Sequence, residues 1–218
     1  MSGEGGRCPP SFGLPPGYFD TKEGQDLLAR VAGLRGDRLL IAVAGAPGSG
    51  KSTLAEALVG QLRDAVLVPM DGFHLDDSVL DARGLRQRKG AVETFDAEGF
   101  AVMVERLARP GREVIYPLFD RSRELAVAGA GVVGSDQRIV VFEGNYLLLD
   151  RAPWNRLRYD LTLFLDVPED ELERRLRGRW RGLGKGDAAV AAHLANDLEN
   201  ARVVGEGSRQ ADVVLRNS

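Results

Sequence analysis

Arg38-Leu-Leu-Ile-Ala-Val-Ala-Gly45-Ala-Pro-Gly-Ser-Gly-Lys51-Ser-Thr-Leu54 joins a short apolar run to a glycine-rich turn and the first residues of a helix. Gly45, Gly50, Lys51 and Ser52 fill the pattern Gly-x-x-x-x-Gly-Lys-Ser/Thr, and the strand before it and helix after it are the context that pattern requires. With Ala46, Pro47, Gly48, Ser49 and Thr53 they form a candidate nucleotide-binding loop. Gly45, Gly48 and Gly50 allow the backbone to curl its N–H groups inward at a phosphate, and the helix opening near Lys51 adds a dipole that favours an anion. Lys51 brings a point charge to the β- and γ-phosphates of ATP, and the Ser52 hydroxyl is placed to ligate Mg²⁺. The alternative reading is an ordinary glycine-rich turn.

From this stretch outward, short apolar runs alternate with amphipathic ones. Before it, Leu27, Leu28, Val31 and Leu34 fall on one helical face, with Asp20 or Thr21 as cap and Gly33 and Gly36 as stops. After it, Leu54, Leu58 and Leu62 continue a helix, and Ala65–Pro69 reads as a second strand ending in Met70-Asp71-Gly72-Phe73-His74. The segment 76–90 is polar and Arg-rich and reads as a mobile surface loop with one helical turn. Asp96 caps a helix through Phe100, Val104 and Leu107, which stops at Arg109-Pro110-Gly111. Glu113–Tyr116 is a candidate strand, and 124–133 a hairpin or excursion with glycines at 129, 131 and 134. Arg138–Phe142 and Leu161–Leu165 are apolar strands; a Pro168-led helix runs from Glu169 to Trp180, and another begins at Asp187, followed by a short strand at Val213–Leu215. Short apolar strands separated by helices predict an α/β fold, a mostly parallel sheet with helices on both faces. The expected organisation is a flexible Gly- and Pro-rich arm over 1–17 and a single domain over 18–218.

The chain of 218 residues is 44% hydrophobic and 28% charged, enough for a sizeable core. A formal net charge of −3 argues against bulk electrostatic binding to nucleic acid. Its one cysteine, Cys8, forms no intrachain disulfide, which suits a reducing compartment. No apolar run spans a bilayer and no signal-peptide layout opens the chain, so no membrane association and a cytoplasmic location are expected. Monomer and homodimer both remain open.

In a parallel sheet, ligands gather at the carboxyl ends of the strands. Those positions are Gly45 onward, Asp71, Tyr116 to Arg121, and Glu143. Asp71 is the candidate base for an attacking hydroxyl, with an Asx turn beside Gly72 as the alternative. His74 stands beside it as a substrate contact or a turn cap. Glu143 ends the strand Ile139-Val-Val-Phe142 where an acid can face Mg²⁺ and its waters, or is a solvated strand end. Arg174, Arg175, Arg177, Arg179 and Arg181 give one helix an excess of one sign, so Arg175 and Arg179 are read as lid residues that stabilise charge on the transferring group, against a solvated face as the alternative. Arg88 and Lys89, with Arg86, form a second basic cluster that either holds an anionic or hydroxylated substrate or holds nothing. No role attaches to His193 or to the two Trp residues.

Ala46–Thr53, Met70–Leu75, Arg88–Asp96, Pro117–Arg121 and Val141–Leu148 stand in the order shown by the uridine kinase, pantothenate kinase and phosphoribulokinase group of P-loop kinases, which the chain resembles over most of 39–215. Within that group it looks most similar to bacterial kinases described as nucleoside kinase-like or as fructose-transport-system kinases. The resemblance implies ATP- and Mg²⁺-dependent phosphorylation of a small hydroxyl compound, with Asp71 as base, Glu143 near the metal and the Arg-rich helix as lid. Tyr116, Asp120, Arg121 and Asn145 lie in or beside the matching segments and join His74, Arg88 and Lys89 as substrate-binding candidates. Val92 replaces a usual proline. Phe73-His74 replaces the Tyr-rich signature of uridine kinases, and Pro117–Arg121 stands where pantothenate kinases carry Tyr-Ser-His; these departures point away from uridine and pantothenate. The second functional class is an ATP-binding regulator associated with a transport system; the chain has no Asn-Lys-x-Asp guanine signature.

Overall fold

The computed structural model describes residue 15 and residues 17–217. The expected arm falls mostly on residues 1–14 and 16, which lie outside the described residues, as does Cys8. Tyr18 and Phe19, in a 3₁₀ turn that opens at Gly17, are already buried in the core.

Five parallel strands form the main sheet in the order β2-β5-β1-β6-β7, with β1 Leu39–Gly45, β2 Ala65–Pro69, β5 Ile139–Gly144, β6 Leu161–Asp166 and β7 Val213–Arg216. β1 is buried at every position, as a strand covered on both faces must be. Its Leu39, Ile41 and Val43 pack with Leu27 and Val31 of α1 (Lys22–Gly33) and Leu54 and Leu58 of α2 (Lys51–Gln61). Leu40, Ala42 and Ala44, on the other face, meet Phe100, Val104 and Leu107 of α4 (Ala97–Leu107). The period-two alternation thus feeds two separate cores from one strand. α5 (Glu169–Gly182) and α6 (Asp187–Gly207) make a third, smaller cluster, in which Leu172, Leu176, Leu194 and Ala201 close over Ala46.

Caps follow the sequence: the Thr21 hydroxyl accepts from Gly24 N–H at 3.2 Å and the Asp96 carboxylate from Gly99 N–H at 2.9 Å. Phe100, fully buried, meets Phe73 edge-on at 5.2 Å and also Phe142 and Trp154, so α4 braces the segment that carries Asp71. Removing that ring costs about 3–5 kcal/mol.

Two readings of local structure change. The segment 76–90 is ordered in helical form: Asp76 caps α3 (Asp77–Ala82), Leu80 is fully buried, and a 3₁₀ turn covers Arg86–Arg88. β3 (Val114–Asp120) extends through Pro117 and pairs with β4 (Leu125–Val133) as an antiparallel hairpin outside the main sheet. Tyr116 to Arg121 are therefore not a carboxyl end of the parallel sheet. The local pattern of a short strand was real; it pairs with β4 from Val114 opposite Val133 to Asp120 opposite Leu125, and alternation alone does not say which sheet a strand joins.

Candidate active site

β5 lies between β1 and β2, and the register sets Glu143 beside both Val43 and Pro69. This alignment brings the turn after β1, the acid at the end of β5 and the 3₁₀ turn Met70–Phe73 after β2 to one edge of the sheet. Gly50 holds a left-handed φ of 92° at the start of α2, a conformation that excludes most side chains. Gly72 serves closeness instead: a Cβ there would collide with the Pro117 carbonyl of β3, so glycine lets the hairpin seat against Asp71.

Lys51 Nζ lies 3.7 Å from Glu143 Oε1 and donates to the Ala46 carbonyl at 3.4 Å. Glu143 is only 8% exposed, and burial raises its carboxyl above the usual range while the Lys51 ammonium and the Ser52 hydroxyl oppose the rise. The Asp71 charge adds to it, so the two acids feel one another across the sheet edge. Among the described residues Ser49 Oγ is buried without a hydrogen-bond partner, and the Ser49 carbonyl accepts from Asn217 Nδ2 at 2.9 Å. Ser49 and the loop glycines fit a phosphate group, whose oxygens would use an orphaned donor. Ser52 and Glu143 fit Mg²⁺, which keeps several waters and takes few protein oxygens.

The two candidate lid arginines part company. Arg175 is 5% exposed: its Nε donates to Glu171 Oε1 at 2.6 Å, Nη1 to the Ser49 carbonyl at 3.4 Å and Nη2 to the Asn217 carbonyl at 3.2 Å. It joins α5 to the back of the phosphate loop, and the excess of arginine on α5 is balanced by Glu171, whose carboxyl is held down to about 2 by Arg174 and Arg175. Arg179 is half-buried toward the C-terminal end of α5; burial raises the Asp197 carboxyl, and the Trp180 hydrogen bond and the Arg179 charge oppose the rise.

On the opposite side, Asp71 Oδ2 accepts from Arg121 Nη2 at 2.7 Å. His74 Nδ1 donates to the Asp71 carbonyl at 2.8 Å, which leaves Nε2 as an acceptor when the ring is neutral. Burial lowers the His74 pKa, opposed by Asp71, and the ring lies between Phe95 and Phe119 at 4.1 and 4.8 Å. Asn145 Oδ1 is buried without a hydrogen-bond partner among the described residues. The remaining candidates are engaged elsewhere. The buried Tyr116 hydroxyl donates to the Leu67 carbonyl at 3.0 Å; Asp120 Oδ1 caps its own turn by accepting from Ser122 N–H and Oγ–H. Lys89 donates to Asp77 Oδ1 at 2.7 Å and to the Glu124 carbonyl at 2.8 Å, tying α3 to the hairpin, and exposed Arg88 faces Glu93 at 3.7 Å.

The α6 residues were not legible as site residues. Asn196 Nδ2 donates to the Lys89 carbonyl at 3.1 Å, and Asp197 Oδ2 accepts from the Trp180 indole at 2.8 Å. His193 stacks on Trp180 at 4.1 Å. The available signal was Asn196, Asp197 and Asn200 interrupting an otherwise apolar helix face at i, i+1 and i+4.

The sequence profile described as the phosphoribulokinase/uridine kinase family matches residues 40–202. The chain belongs to that family. It is a P-loop kinase of the uridine kinase, pantothenate kinase and phosphoribulokinase group, an ATP-dependent phosphotransferase with an alcohol acceptor. A crystal structure from Silicibacter sp. TM1040, provisionally titled a fructose transport system kinase, is 47% identical, with a TM-score of 0.81 over 88% of this chain and 96% of that one. A Schizosaccharomyces pombe protein provisionally named a uridine kinase is 35% identical, covering 82% of this chain and 83% of its own length. The uncharacterized protein YggC of Escherichia coli is also 35% identical, over 82% of this chain and 77% of its own. Among the described residues, no helix of this kinase is long and apolar enough to cross a membrane.

Proposed function

We propose that this kinase transfers the γ-phosphoryl group of Mg²⁺-ATP to a hydroxyl of a sugar, nucleoside or similar small metabolite. The observation that carries this reading is the meeting of Lys51, Glu143 and Asp71 at adjacent strand ends, one cation for phosphate and two carboxylates with separate surroundings. The backbone N–H groups of Gly45–Thr53 and the Lys51 ammonium hold the nucleotide phosphates. Mg²⁺, held by Ser52 and Glu143, would neutralise charge between the β- and γ-phosphates. Asp71, oriented by Arg121, takes the proton of the attacking hydroxyl. Arg179 stabilises charge on the transferring group from the α5 side.

A coupled assay of ADP release across sugars, nucleosides and hydroxy acids tests this directly. Acceptor-dependent release of ADP supports the reading. Tight ATP binding with no acceptor that stimulates turnover favours the transport-system regulator instead.

A further inference from the structure

Asp197 lies on the α6 face that turns toward the site. It is half-buried, and one oxygen accepts from the Trp180 indole, while the other has no hydrogen bond among the described residues. Among the described residues no cation stands within ion-pair distance. Leu194 and Ala201 of the same helix pack on Ala46 of the phosphate loop, and Asn196 bonds the Lys89 carbonyl next to the Gly90 carbonyl that the Tyr146 hydroxyl holds, so this stretch of α6 lies between the phosphate loop and the aromatic wall of Phe95, Tyr146 and His74. A carboxylate in this position repels ATP phosphates and is partly desolvated, so on nucleotide binding alone it is unfavourable. An ionised carboxylate only accepts hydrogen bonds, and its natural partners are donors.

The rest of the wall agrees. Asn145 Oδ1 is a second acceptor, buried without a donor, and Asp71 is a third. Of the other cations nearby, Arg121 is paired with Asp71, Lys89 with Asp77 and Arg88 with Glu93, which leaves Arg179, on the α5 side, for the transferring group. Asn196 and the Tyr146 hydroxyl, bonded to the Lys89 and Gly90 carbonyls at 3.1 and 2.8 Å, hold α6 and β5 to the same loop, so this wall is braced.

We infer that Asp197 is a specificity-determining residue of the acceptor site, taking hydrogen bonds from hydroxyl groups, and that the acceptor is an uncharged polyhydroxyl compound. A phosphate or carboxylate on the acceptor would meet the carboxylates of Asp197 and Asp71, while Arg179, which carries no ion pair among the described residues, is taken up by the transferring group. The inference rests on the kinase reading above and deepens it.

The test compares D-fructose, D-ribose and uridine with D-fructose 6-phosphate, D-ribose 5-phosphate and D-glycerate as acceptors, in the full chain and in Asp197→Asn, which keeps shape and an acceptor for the Trp180 indole. Turnover is expected only with the neutral set, and Asp197→Asn should raise the acceptor KM on the order of 10- to 100-fold, with the KM for ATP and the melting temperature little changed. Faster turnover of an anionic compound than of its neutral counterpart, with the kinase reading intact, overturns the inference. An unchanged acceptor KM in Asp197→Asn, or a change in melting temperature alone, does the same. If no acceptor is turned over, the kinase reading fails, and a binding titration decides this inference by itself. Trp180 touches Asp197, whereas Trp154 is fully buried, so neutral sugars added with a non-hydrolysable ATP analogue should shift tryptophan emission; no shift overturns the assignment.

Discussion

The nucleotide side and the acceptor side of this cleft share one sheet edge, but the first comes from the continuous run Gly45–Thr53 and the second from the turn after β2, the hairpin β3–β4, the end of β5 and helix α6. The phosphate loop binds through backbone N–H groups whose direction follows from glycine positions and a helix start. The proposed acceptor wall would bind through side chains from segments as far apart as Asp71 and Asp197. Function written in the backbone is local, and function written in side-chain convergence is not.

Substitutions on the two sides should therefore fail differently. Lys51→Ala removes the principal side-chain charge from the β- and γ-phosphates and should abolish turnover while weakening ATP binding; equal ATP affinity by calorimetry would erase the division between the sides. Asp71→Asn should lower kcat on the order of 10²–10⁴ with ATP affinity nearly unchanged. A folded variant that still turns over within a few-fold of wild type moves the base to another acid.

Within α5, the same contrast separates two arginines four residues apart. Arg179→Ala should lower kcat by roughly tenfold at unchanged melting temperature, because a charge acting on the transition state need not support the fold. Arg175→Ala should instead drop the melting temperature by roughly 5 °C or more, since it takes a buried donor from Glu171 and the Ser49 carbonyl and removes the Arg175 bond to the Asn217 carbonyl that ties α5 to the phosphate loop. The reverse pattern would return Arg175 to the lid.

The smallest effect concerns His74. Burial holds its imidazole below the ordinary 6.5, so the unfolded chain takes up a proton that the native chain refuses as the pH falls below 6.5. That part of the stability is complete above 6.5 and is lost as the pH drops toward the lowered native value. His74→Asn, whose amide can still donate to the Asp71 carbonyl, should flatten the acid limb of melting temperature against pH. An unaltered limb would place the acid-sensitive group elsewhere.

By itself the sequence determined the parallel α/β sheet, the phosphate loop, and Asp71 and Glu143 at strand ends, because glycine spacing, caps and apolar periodicity act over a few neighbouring residues. That β3 pairs with β4 outside the main sheet was decided by tertiary packing, which alternation within one strand does not report. The tertiary structure also engages Arg175, Tyr116, Lys89 and Asp120 in structural contacts, and it sets Asp197 against Trp180 and Asn196 against the Lys89 carbonyl, the contacts from which their place in the acceptor site is proposed. A lone arginine or aspartate in a helix carries no local mark of its partner. Only when α5 and α6 fold across the phosphate loop does one charge find a carbonyl to bond and another stand open to a ligand.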